Sequence, residues 1–126
     1  MAESGTMHIG ELAEKTGLSL RTIRHYDEVG VLKPSGRTEG GFRLYTDHDM
    51  SRLLLIRRMK PLGFTLEEMS DLLATIAELS ADPPGDGIPA AKESLRHFIE
   101  ETEVRRARLE KQLDAADEFL ELLRSH

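Results

Sequence analysis

Residues 9–45 read IGELAEKTGLSLRTIRHYDEVGVLKPSGRTEGGFRLY, from Ile9 to Tyr45. Three devices follow one another in this stretch. The segment IGELAEKT puts Ile9, Leu12 and Ala13 on one helical face, and Gly17 marks its stop. Ser19 is an N-cap for a second helix, about Leu20 to Val29, whose inner face takes Leu20, Ile23 and part of Tyr26. Steps of three and four leave Arg21, Thr22, Arg24 and His25 on the outer face, and Gly30 ends the helix. A hairpin is expected over about Ser35 to Tyr45, turned at Gly40-Gly41 because glycine tolerates positive φ. Along its second strand Phe42 and Leu44 point one way, Arg43 and Tyr45 the other. Two short helices in a tight turn, the second rich in bases and followed by a basic hairpin, specify a winged helix-turn-helix. That arrangement presents a helix to a DNA major groove and a wing to the neighbouring backbone.

The rest of the chain is helical in pattern. Thr46-Asp47-His48-Asp49 is a capping box opening a third helix through Met50, Leu53, Leu54 and Ile56 to about Leu62, its last turn distorted by Pro61. Gly63 closes it, and Thr65-Leu66-Glu67-Glu68 starts a fourth, with Leu66, Met69, Leu72, Leu73 and Ile76 as its apolar stripe. The segment SADPPGDGIP, residues 80–89, holds three of the five prolines and reads as a linker. A last helix is expected from about Ala90 to Arg124. Along it Leu95, Ile99, Thr102, Arg106, Leu109, Leu113, Ala116, Leu120 and Leu123 recur in steps of four and three, and seven of these nine positions are apolar. So narrow a stripe on a long exposed helix calls for a partner helix. Thr102 and Arg106 interrupt the seam near its middle, a device that fixes register. The expected fold is mainly α: a winged helix-turn-helix domain over 1–79, a linker over 80–89 and a dimerisation helix over 90–126.

Composition narrows the function further. The 126 residues contain no cysteine, which excludes disulfides, thiolate metal sites and cysteine-ligated clusters. The five histidines are scattered, and no carboxylate pairs with a nucleophile or base, so neither a metal centre nor a catalytic set is expected. MAESGTMH has no basic start and no apolar run, and the longest aliphatic run, Leu53–Ile56, is far too short for a bilayer; a soluble, cytoplasmic protein without a cofactor is expected. A net charge of −6 argues at first against a nucleic-acid partner. The charge is unevenly spread, however: residues 1–64 hold ten Lys/Arg against eight Asp/Glu, and residues 65–126 hold seven against fifteen. Between Arg21 and Lys60 nine bases face five acids. A local positive patch steers DNA, because charges beyond about 10 Å are screened.

Four blocks in order, IGELAEKTGLS, RTIRHYDEVGVL, GGFRLYTDHD and RRMKPLGFTLEEM, resemble the DNA-binding domain of the MerR family of bacterial transcription regulators. The likeness runs from Ile9 to about Leu79. It implies that the last helix pairs antiparallel in a homodimer, which the heptads alone do not specify. It also implies binding to pseudo-palindromic double-stranded promoter DNA, and distortion of that DNA so that RNA polymerase engages both promoter elements.

In this setting Arg21, early on the second helix, is the candidate for a base edge, while Thr22, Arg24 and His25 reach phosphates or sugars. His25 stands where many members of the family carry tyrosine. Tyr26 packs its ring on the core with the hydroxyl towards the DNA backbone. Arg43 and Tyr45 share a hairpin face suited to clamping the backbone, and Arg37 and Lys60 are further phosphate contacts. The absence of cysteine removes the thiol-based metal and redox sensing known in the family. Multidrug sensors append a ligand domain, and few residues follow the last heptad here. What is left is a small effector near the end of the fourth helix, the linker and the partner's coiled-coil tip, a protein partner, or no ligand. An adaptor of the co-chaperone-modulator kind is the alternative function; the basic set Arg21, Arg24 and Arg43 argues against it.

Overall fold

A computed structural model describes residues 5–126. The first four residues, which belong to the expected leaderless N-terminus and to the expected first domain, lie outside the described part. The chain divides into two compact units, Met1–Ala74 and Thr75–His126.

The first unit opens with a strand that the sequence pattern did not reveal, β1 (Thr6–His8). α1 (Ile9–Thr16) follows at once and ends at Gly17, whose φ of 74° is left-handed and whose N–H donates to the Ala13 carbonyl at 2.9 Å. A side chain there would be strained, so glycine sets the tight turn into the next helix. Ser19 caps α2 (Leu20–Glu28), its Oγ accepting from the Thr22 N–H at 3.0 Å. α2 buries Ile23, Tyr26 and Asp27. Leu20, expected inside, is the first residue of α2 and is exposed.

β2 (Gly36–Arg37) and β3 (Arg43–Thr46) form the hairpin, and β1 pairs antiparallel along the other edge of β3, giving the order β1-β3-β2. Met7 lies opposite Tyr45, and Arg37 opposite Arg43. The hairpin loop closes with the Gly41 N–H on the Thr38 carbonyl at 2.9 Å, and Gly41 takes the left-handed conformation at φ 85°. Both expected capping boxes form. Thr46 and Asp49 exchange bonds at the start of α3 (Asp47–Met59), and Thr65 and Glu68 do so at the start of α4 (Leu66–Leu79). Between them Pro61 turns the chain into a single 3-10 turn, Lys60–Leu62, closed by left-handed Gly63. Leu12, Ile23, Leu32, Tyr45, Leu53, Ile56 and Met69 make the core. Fully burying such side chains contributes about 1.5–3 kcal/mol each before entropy is counted.

The second unit holds the last turn of α4 and α5 (Ile88–Arg124), 37 residues long. α5 begins two residues earlier than expected. Pro89 falls in its first turn, where the missing N–H has no intrahelical acceptor to lose, so proline here starts the helix. The linker is therefore shorter, and Glu78 lies against it: a Cβ on Gly87 would stand 2.7 Å from the Glu78 carboxylate. Thr75 and Ser94 join their hydroxyls at 3.1 Å, and Ala91 is buried. Beyond Thr102 nearly all of α5 is exposed. On the expected seam, Leu95 and Thr102 are half-buried and the other seven positions are open to solvent, Leu113 by 61%. The Thr102 hydroxyl donates to the Phe98 carbonyl of its own helix at 2.7 Å, while Arg106 is exposed.

Candidate nucleic-acid interface

The outer face of α2 forms one wall of an open groove of about 840 Å³. Arg21, Thr22, Arg24, His25 and Tyr26 line it from α2, and Lys60 reaches it from the 3-10 turn far along the chain. Phe64, Leu66 and Met69 supply an apolar side. Arg21, Arg24, His25 and Lys60 are exposed. Lys60, a weak candidate on sequence grounds, thus joins the α2 set. Thr22 is half-buried, and its hydroxyl accepts from Ser19 Oγ at 3.0 Å, so it belongs to the helix cap as well as to the surface. Tyr26 is buried in the core and its ring lies 6.4 Å from that of His25. Burial raises the pKa of its hydroxyl, which therefore stays protonated.

The wing departs from the sequence expectation. Arg43 and Tyr45 do share a face, but it is not an open one: Tyr45 is buried and Arg43 is half-buried. Tyr45 is fully buried, and its hydroxyl has no hydrogen-bond partner. The Tyr45 side of β3 covers the core, and α1 and α3 pack against the strand. Tyr45 is a core residue, and its side chain does not stand on the open wing face expected of a clamp. Phe42, at the end of the loop, is open, 68% exposed.

Arg43 is held by a residue the sequence reading passed over. Asp27 lies on the buried side of α2, four residues after Ile23, and its side chain is only 9% exposed. Its Oδ2 accepts from Arg43 Nε at 2.7 Å and from Arg37 Nη2 at 3.3 Å, and Lys33 Nζ stands 3.7 Å from Oδ1. The hydrogen bond to Asp27 raises the Arg43 pKa further above its ordinary value. Arg37 also donates through Nη1 to the Gly41 carbonyl at 2.9 Å, tying the wing loop to α2. An acid placed on the apolar side of a basic helix was the available signal, because a buried carboxylate requires counter-charges. Among the described residues no group of acids and histidines is arranged to hold a metal ion, and no helix is long and apolar enough to cross a membrane.

Comparison with known proteins agrees with this geometry. Residues 7–76 match the family model described as MerR HTH family regulatory protein, and residues 50–119 match that described as MerR, DNA binding. The chain is 45% identical over 67 residues to an uncharacterized HTH-type transcriptional regulator of Pseudomonas aeruginosa, covering 53% of this chain and 51% of that protein. It is 38% identical over 102 residues to the HTH-type transcriptional regulator ZntR of Escherichia coli, covering 81% and 70%. The chain thus spans about half the length of the first of these relatives. The crystal structure of HiNmlR, a MerR family regulator lacking the sensor domain and bound to promoter DNA, superimposes with a TM-score of 0.71 at 28% identity, covering 91% of this chain and 87% of that one. A winged helix-turn-helix, a long terminal helix and these matches together place the chain in the MerR family of helix-turn-helix regulatory proteins.

Proposed function

We propose that the chain is a transcriptional regulator that binds a pseudo-palindromic promoter site as a homodimer. The observation that carries this reading is the basic groove along α2, where Arg21, Arg24, His25 and Lys60 gather from two distant segments on one open surface. Arg21, on the first turn of α2, is placed to meet a base edge, and bidentate arginine–guanine contacts discriminate by about 1–3 kcal/mol. Arg24, His25 and Lys60 reach the phosphates beside it, and Arg37 and Arg43 act from the wing. Two copies pair antiparallel through the open seam of α5. Bending and untwisting a promoter of this kind costs of order 1–6 kcal/mol, offset by the contacts that the bend permits. RNA polymerase is engaged indirectly, through the remodelled promoter. HiNmlR, whose structure this chain resembles, is itself bound to promoter DNA. The adaptor alternative draws no support from the relatives, which are regulators.

Recovery and sequencing of genomic fragments bound by the full chain tests the proposal. A shared, roughly two-fold symmetric motif is the expected outcome. Random recovery, with no motif and no preference over competitor DNA, would overturn it.

A further inference from the structure

We propose that Asp27 is a positioning residue for DNA binding: it locks the wing arginines Arg37 and Arg43 to the recognition helix at a fixed spacing. The inference rests on the DNA-binding function proposed above.

Three observations converge on it. Arg37 and Arg43 are directly opposite each other across the β2–β3 ladder, where like charges repel. A two-residue strand cannot absorb that repulsion by itself, and the Asp27 carboxylate bridges both guanidinium groups. Next, the anion is outnumbered. Lys33 approaches the same carboxylate, so one negative charge sits beneath three positive ones that come from the loop, β2 and β3. One arginine would neutralise Asp27; the surplus faces outward, with side-chain exposures of 68% for Lys33, 48% for Arg37 and 23% for Arg43 against 9% for Asp27. A surplus of partly exposed cations over a buried anion is a receptor for an anion from outside, and here that anion is a backbone phosphate. Finally, Arg43 meets Asp27 through Nε, a bond that takes one of the five N–H donors of its guanidinium. Since Asp27 is on α2 itself, the base-reading and phosphate-gripping groups form one rigid body.

Simple electrostatics gives the opposite sign, which makes the test sharp. Asp27→Asn removes a negative charge beside the DNA, so charge alone tightens binding and leaves the salt slope no smaller. Positioning predicts that Asp27→Asn weakens operator binding about tenfold or more, and lowers the slope of log affinity against log salt by about one for each copy bound. Asp27→Glu should recover most of the loss. In an Arg43→Ala background Asp27→Asn should add little, because the two act as one unit. The measurement uses the full chain on its recovered operator and on a scrambled duplex, across a salt series. Should Asp27→Asn fail to fold by circular dichroism, Arg43→Lys tests the same idea: charge is kept, the Nε bond is lost, and operator affinity should fall by a similar factor. Tighter or unchanged binding by Asp27→Asn, additive losses in the double variant, or wild-type affinity in Arg43→Lys each overturn the proposal. Wild-type binding beside any of these overturns the positioning role alone, whereas absence of wild-type binding to any DNA overturns the function it rests on.

Discussion

At the scale of single residues, position on the surface separates reading from gripping. Arg21 opens α2 and is exposed, so Arg21→Ala should cost about 1–3 kcal/mol on the operator and relax preference at one base pair per half-site. Arg43→Ala should weaken all sequences almost equally and flatten the salt dependence; titrations of both variants on operator and scrambled DNA check this division, and equal loss of specificity from both would refute it. Tyr45 gives a contrasting case. Its buried hydroxyl lacks a partner, a defect of about 1–3 kcal/mol, so Tyr45→Phe should melt no lower than wild type and bind DNA within about twofold of it. A large loss of affinity in that variant would restore Tyr45 to the interface. Asp49 is buried, which by itself raises a carboxyl pKa. Hydrogen bonds from Ser35 at 2.6 Å, the Thr46 N–H at 2.9 Å and Arg52 at 2.9 Å outweigh burial and hold it below the usual value. The folded pKa is therefore depressed, so the contribution of Asp49 to stability is whole above about pH 4, the unfolded value, and disappears as pH falls further. Thermal melts from pH 7 to 2 should show a shallower acid decline for Asp49→Asn, whose midpoint at pH 7 is already lowered. Sequence legibility at this scale was uneven. Outward positions on α2 follow from helical spacing alone. The burial of Tyr45 was not legible, since alternation along β3 says which residues share a face and not which face the core covers, and β1, Thr-Met-His, is too short to announce a strand.

At the scale of elements, local chemistry decided the boundaries well. Both capping boxes, the glycine stop at Gly17 and the distortion at Pro61 were legible because each is a contact between near neighbours in sequence. Pro89 was misplaced because proline serves equally as a breaker inside a helix and as a starter in its first turn; only the direction taken by the following chain distinguishes the two. The seam of α5 is a further element-level expectation. Its apolar residues from Ile99 to Leu123 are uncovered by their own chain, and a partner helix would bury them. Placing Asp at both Leu109 and Leu113 should therefore convert a particle of twice the 14.2 kDa chain mass into a monomer or an unfolded chain in light scattering. A wild type already monomeric at micromolar concentration would remove the seam from the account.

At the scale of the whole molecule, composition bears on the chemistry to which this chain can respond. With no cysteine in the chain, operator binding should be indifferent to thiol oxidants, alkylating agents and soft metals that act through thiolates. Binding measured before and after such treatment checks this, and a reversible loss on oxidation would refute it. The charge asymmetry was fully legible in the sequence, since it needs only counting, whereas the cluster around Asp27 depends on residues up to 16 positions apart meeting in space. The bare length of α5 carries one more consequence, for the life of the protein in a cell. In the homodimer proposed above, a helix covered by the second copy would tie the survival of each molecule to its abundance. Scarce, solitary chains would offer an open helix to proteases, while paired chains would be protected. Turnover would then clear the regulator fastest when it is rarest, so that its dosage has a floor below which the population of working molecules collapses and above which it holds.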